Sequence, residues 1–265
     1  MVQEVPDFTV SNPRSVVPRF QSLGGALSLC LVGCAGGAPL LHPARTLSPG
    51  RVRVSGGMTS QVATGPIAKA LAQPPSNLET QVAAATVSPG VSPVVAARVG
   101  LANRFEAGLT YFGRGVRLDA RRAFPIGKWD LSLGMGASAV LSSGDWAASN
   151  VPLTQLRGGG VDVPVLVGWQ SRAGVYHFWA GGRAGYEHVV AGSAFSSTDP
   201  NPPPILIGNR VWAGPLLGLA AGLRPIHVAL EMSATYQRIW GAYGSGQVSL
   251  QGVSLSPAAA LWWTF

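Results

Sequence analysis

The chain has 265 residues, of which 11% are charged, with a formal net charge of +8 and a mean hydropathy of +0.26. Soluble domains carry about 25% charged residues, so this balance leans toward a membrane. Spanning helices are excluded over the second half of the chain, because its longest apolar run, Val211 to Leu223, contains Gly and Pro and falls short of the roughly 20 residues needed. The 35 glycines and 21 prolines disfavour a helical bundle, and a chain with only two lysines and scattered arginines carries no nucleic-acid signature.

At the N-terminus, Arg14 and Arg19 precede the apolar segment LGGALSLCLVG, residues 23–33, which runs into Cys34, Ala35, Gly36 and Gly37. A basic region, a short apolar region and a small-residue zone form a secretory signal. The residues Leu31-Val32-Gly33-Cys34 resemble the bacterial lipobox. That resemblance implies a signal peptide over residues 1–33, lost together with Cys30, and a diacylglycerol group on Cys34. Ala35 after the cysteine is what the lipoprotein family shows on proteins forwarded to the outer membrane. The alternative is an ordinary signal cleaved after Ala35 or Ala38. Residues 34–49, rich in Pro, Gly and Ala, read as a flexible linker.

From Arg51 onward, apolar residues alternate with polar or small ones, the pattern of strands with two unlike faces. In DLSLGMGASAVL, Leu131, Leu133, Met135, Ala137, Ala139 and Leu141 oppose Ser132, Gly134, Gly136 and Ser138. In VALEMSATYQ, Val228, Leu230, Met232, Ala234 and Tyr236 oppose Glu231, Ser233, Thr235 and Gln237. Ten strands are predicted, at about 50–59, 91–102, 104–113, 115–124, 128–141, 159–171, 174–188, 208–223, 226–240 and 247–265. Residues 60–90 contain two helix-compatible stretches around Pro74 and Pro75, placed either outside the barrel as a cap or inside it. The NPPPI segment, residues 201–205, reads as a stiff exposed loop.

Short and long connections alternate along the chain, which fits a closed up-and-down barrel with two unlike rims and not a Greek-key sandwich. Aromatic residues gather toward both rims: Trp129, Trp169, Tyr176, Phe178, Trp263 and Phe265 at the short-turn end, Tyr111, Phe112, Tyr186, Trp212, Tyr236, Trp240 and Tyr243 at the other. Two such belts mark membrane interfaces. The last strand places Leu255, Pro257, Ala259, Leu261, Trp263 and Phe265 on one face. Its ending resembles the C-terminal signal of bacterial outer-membrane β-barrels, with Leu261, Trp263 and Phe265 as the residues read by the insertion machinery. The resemblance implies an all-β, closed antiparallel transmembrane barrel over residues 50–265, of ten strands or alternatively eight. It places the protein in the outer membrane of a Gram-negative bacterium, among its lipids, with the N-terminus periplasmic.

With the apolar faces turned outward, Arg51, Arg53, Arg98, Arg117, Arg121 and Arg183 face the lumen with Glu106, Asp119, Asp162, Glu187 and Glu231. Two readings follow. In one, the charges pair into a filled lumen and the protein serves a structural or surface-interaction role with an unidentified surface partner. In the other, they line a narrow path that prefers anions. A third reading, a lipid-modifying hydrolase, rests on His188 near Ser193. Adjacent strand residues face opposite sides, however, so Glu187 does not orient His188. No Asp-x-Asp and no His beside an Asp is present, as the outer-membrane proteases would require. His42, His177 and His227 show no metal-ligand spacing, and no nucleotide motif or other cofactor site is expected.

Overall fold

The computed structural model describes residues 39–74, 76–87, 89–140, 156–191, 205–223 and 225–265. The predicted strands form as β1 Val52–Ala63, β2 Gly90–Gly100, β3 Phe105–Tyr111, β4 Gly115–Ile126, β5 Trp129–Val140, β6 Arg157–Gln170, β7 Tyr176–Ala191, β8 Leu206–Leu223, β9 Ile226–Tyr243 and β10 Gly246–Thr264. Each pairs antiparallel with its neighbour in sequence, and β1 pairs with β10, so the all-β sheet closes as a ten-stranded barrel. Closure leaves no unpaired edge. Several ends run further than the alternation suggested, at β1 and β9 among them. Gln61 pairs with Gly90, extending β1, and Tyr243 pairs with Gly246 around Gly244, whose φ of +60° suits a tight hairpin.

One rim carries the connections 101–104, 127–128, 171–175 and 224–225; the other carries 64–89, 112–114, 141–156, 192–205 and 244–245. The predicted sorting into a short-turn rim and a long-turn rim is therefore present. The wall is uneven in height. The seven residues of β3 contrast with 18 in β8, 18 in β9 and 19 in β10.

Outward side chains are apolar and bare: Met135 is 69% exposed, Leu118 63% and Leu230 47%. Inward residues of the same strands, Ser132, Asp119 and Glu231, are buried. Trp263 and Phe265 stack outward at the short-turn rim, with ring centroids 5.9 Å apart. Two members of the expected long-turn belt are inward instead. Phe112 is buried, and Trp212 lies under the guanidinium of Arg183, because both share the parity of the lumen charges.

The interior is layered. At the long-turn end, α1 (Gly65–Leu71) and α2 (Leu78–Val87) sit inside the barrel, which decides between the two placements left open by the sequence. Every residue from Thr80 to Val87 is buried, and these residues are apolar, small or capable of hydrogen bonding on every side. Such a helix needs a surrounding wall. Val140, Val189, Ala191, Leu206 and Ile239 supply it from strand ends of inward parity. Asn77 Oδ1 accepts the backbone N–H of Glu79 at 2.9 Å and so caps the start of α2.

At the short-turn end, the segment read as a flexible linker is packed into the lumen from residue 39 onward. Leu40, Leu41 and Ala44 bury themselves against Trp179, Ala220, Ala229 and Trp262. The composition of a tether misled because these small and apolar residues match an apolar ring of the inner wall. Residues 1–38, including the predicted signal and Cys34, lie outside the described residues, as does Ser193.

Candidate functional site

The middle of the lumen is an alternating chain of charge. Glu106, fully buried on β3, accepts hydrogen bonds from Arg98 of β2 and from Arg121 of β4, the latter at 2.8 Å. Arg98 continues to Asp119 at 2.5 Å, and Asp119 accepts from Arg117 at 2.7 Å. Arg117 then makes a forked contact with Asp162 of β6, 2.8 and 2.9 Å, and Asp162 accepts from Arg183 of β7 at 2.9 Å. Seven groups thus alternate in sign across five strands. Burial makes that alternation necessary, since a guanidinium or carboxylate taken out of water must find a partner. Glycine makes room for it: a Cβ at Gly108 would stand 2.6 Å from Nη1 of Arg98.

A second cluster joins the wall to the helical plug. Arg114, in the β3–β4 turn, donates to Glu187 and to the carbonyl of Ala85 at 2.9 Å, near the C-terminal end of α2. Arg210 donates to the other Glu187 oxygen at 2.5 Å. A cation at a helix C-terminus opposes the partial negative charge of its free carbonyls.

Glu231 on β9 is the acceptor for the N-terminal segment. Its two oxygens each take a backbone N–H, from Leu40 and Leu41 at 2.8 Å, and one also takes Nε1–H of Trp179 at 3.1 Å. A side chain at Gly218 would collide with that indole. The segment is held again at Leu47, whose N–H donates to Glu106 at 2.8 Å, and by Arg121, which donates to the carbonyls of Pro43, Ala44 and Arg45. His42 is wholly buried within it. Burial first, and then the guanidiniums of Arg121, Arg98 and Arg117, hold its imidazole well below the usual range.

These contacts predict that Glu231→Gln loosens the segment while the barrel stays closed. The amide keeps one acceptor and turns donors toward the second N–H. With about 1.5–3 kcal/mol per hydrogen bond to a charged group, exchange at Leu40 and Leu41 should accelerate by one to two orders of magnitude. Hydrogen exchange read by mass spectrometry checks it, and unchanged protection would show that apolar packing alone holds the segment.

Of the eleven lumen charges expected from the sequence, Arg98, Glu106, Arg117, Asp119, Arg121, Asp162 and Arg183 form the central chain. Glu187 belongs to the plug cluster, Glu231 to the N-terminal segment, and Arg53 lies against Trp262 near the short-turn rim. Arg51 precedes β1 and is exposed at the rim, where it lines the open mouth of the lumen and belongs to none of the buried clusters. Arg114 and Arg210 are additions. Arg210 was detectable, since it alternates with outward Val211 and shares parity with buried Leu216, whereas Arg114 sits in a turn where strand parity gives no guide. His188 faces outward and its Nδ1 is 2.8 Å from Asn209 Oδ1, which also accepts from Tyr186 Oη, an interfacial polar cluster.

Between the layers lie small voids, of about 40 Å³ beside Glu231 and about 20 Å³ beside Asp162. The short-turn rim instead opens into a vestibule of about 1100 Å³. Its floor is closed by Pro43, Leu47 and the His177, His227 and Arg53 side chains.

No protein-family model matches the chain, and no curated protein does. Among solved structures it is similar to Neisserial surface protein A, at 10% identity over 81% of this chain and 96% of that one, with a TM-score of 0.36. It is similar to Ail, the attachment invasion locus protein of Yersinia pestis, at 9% identity over 82% and 99%, with a TM-score of 0.31. A monoaromatic hydrocarbon channel, CymD, aligns at 9% identity over 89% and 98%, with a TM-score of 0.26. None of these likenesses lends this chain a property beyond the closed barrel its own strand pairing shows.

Proposed function

We propose that the protein is an integral barrel of a bacterial outer membrane whose lumen is closed, and that it serves a structural or surface-interaction role and not conduction or catalysis. The observation that carries this reading is double filling: residues 39–47 enter the lumen from the short-turn side and α1 and α2 fill it from the long-turn side, with the ion chain between them. The apolar outer wall and the outward Leu261, Trp263 and Phe265 support placement among membrane lipids by the insertion machinery. On this reading the signal over residues 1–33 exports the chain, Cys34 carries the acyl anchor, and the short-turn rim and N-terminus face the periplasm. The connections at the long-turn rim then meet the exterior and any surface partner.

Planar-bilayer recording of the refolded protein tests the closed lumen. Silence is expected for the wild type and for Arg117→Ala and Arg183→Ala alike. Steady anion-selective steps that change in those variants would replace this reading with that of a narrow anion channel.

A further inference from the structure

The vestibule at the short-turn rim differs from the rest of the interior in charge. The central chain nearly balances its signs, whereas the vestibule is lined by Arg45, Arg51, Arg53, Arg104, Lys128 and Arg172 against one carboxylate, Asp130. Cations spread along an open rim attract anions without choosing among them. The floor is more particular.

Arg53 is buried, its guanidinium lies 4.4 Å over the ring of Trp262, and its Nε donates to Thr264 Oγ1 at 3.2 Å. Those two contacts fix the plane of the group and leave Nη1 without a hydrogen-bond partner among the described residues. His177 and His227 stand beside it, both buried, with ring centroids 5.0 Å apart and packed on the same Trp262 at 5.9 and 5.6 Å. Nδ1 of each is likewise unpartnered. Three buried polar atoms, on side chains packed around one tryptophan, thus sit at the foot of a cationic funnel, where each lacks the partner that burial ordinarily requires.

The chemistry of these atoms is not uniform. Nη1 of Arg53 only donates. Nε2 of His227 lies 2.8 Å from the carbonyl oxygen of Gly174, which only accepts, so Nε2 carries a hydrogen and Nδ1 is the ring nitrogen left to accept one. A complementary ligand therefore brings a charged oxygen to Arg53 and an O–H to His227. A phosphate group holding one proton has both. Sulfate has the charge and the size but no proton to give.

We infer that the vestibule floor is a binding site for a protonated phosphate group, gripped by Arg53 and read by His227, with His177 closing its side. This goes beyond the closed-lumen reading and rests on it in one respect, since Pro43 and Leu47 of the filling segment help close the vestibule floor; the bilayer recording tests the filling separately. Two sources share this chemistry, a soluble phosphate and the headgroup of a phosphatidic-acid-type lipid.

Isothermal titration of the refolded chain in detergent with inorganic phosphate, and separately with sulfate at matched ionic strength and neutral pH, tests the site. Phosphate is expected to bind at least tenfold more tightly than sulfate. Arg53→Gln should weaken phosphate about tenfold, the scale of one charge-assisted hydrogen bond. Arg172→Gln, which alters only the funnel, should change it less than about twofold. His227→Phe should remove the preference for phosphate over sulfate. Folding of each variant is checked by heat-dependent gel migration; where Arg53→Gln does not fold, His227→Phe carries the test, since its loss of preference needs no change at Arg53. Displacement of phosphate by a short-chain phosphatidic acid upholds the site and assigns it a lipid headgroup; failure to displace upholds it with a soluble ligand. Equal binding of phosphate and sulfate, undiminished phosphate binding by folded Arg53→Gln, or an unchanged preference in folded His227→Phe overturns it.

Discussion

Glu106→Ala is expected to destabilise the barrel by about 3–5 kcal/mol, the cost of leaving a buried charge without its partner. Glu106 is the junction of the lumen: Arg98, Arg121 and the N–H of Leu47 all end on its two oxygens. Deleting it removes the carboxylate that two guanidiniums share, leaving Arg98 with Asp119 and Arg121 with backbone carbonyls alone, and it also releases the N-terminal segment at one of its anchors. Glu106→Gln keeps an acceptor of the same shape and should cost less. Urea unfolding followed by tryptophan fluorescence in lipid vesicles measures both. A loss below about 1 kcal/mol for Glu106→Ala would mean that water screens the chain of charges as it screens surface pairs, and the filled lumen would have to be abandoned.

The second large effect lies on the opposite face. Met135, midway along β5 and 69% exposed, should be intolerant of a cation: Met135→Arg is expected to cost about 2–4 kcal/mol in a bilayer. Met135→Leu at the same position should be nearly neutral. The same unfolding measurement checks it. A barrel with a solvated outer wall would accept the arginine within about 0.5 kcal/mol, the range of ordinary surface substitutions. That result would remove the protein from the membrane.

Much of the fold was legible in the sequence because strand parity is a rigid rule. Once Leu131, Leu133 and Met135 are assigned outward, Asp119 and Asp162 on the paired strands have only one side left to face. The filling of the lumen was less legible. Parity says that Val189, Ala191, Leu206 and Ile239 point inward but does not say what meets them there, and the partner, α2, lies far away in sequence. The linker was misread for a related reason. Leu40, Leu41 and Ala44 look unremarkable beside Pro and Gly, and only the position of Glu231 in three dimensions shows that their backbone has somewhere to bind. The vestibule floor was invisible in the sequence, since Arg53, His177 and His227 come from three strands and their shared tryptophan from a fourth.

The segment that fills the short-turn end precedes β1, and β1 is one side of the seam that closes the barrel. Arg53 and Thr264, paired across that seam, are 211 positions apart in sequence, a contact whose loop entropy defers it to late in folding. Leu40 and Leu41 bind Glu231 on β9, the neighbour of β10, so the segment that leads into one side of the seam is moored beside the other. The seam is thus bridged from within the lumen as well as by its own backbone pairing, and the lining of the barrel doubles as a brace on its closure.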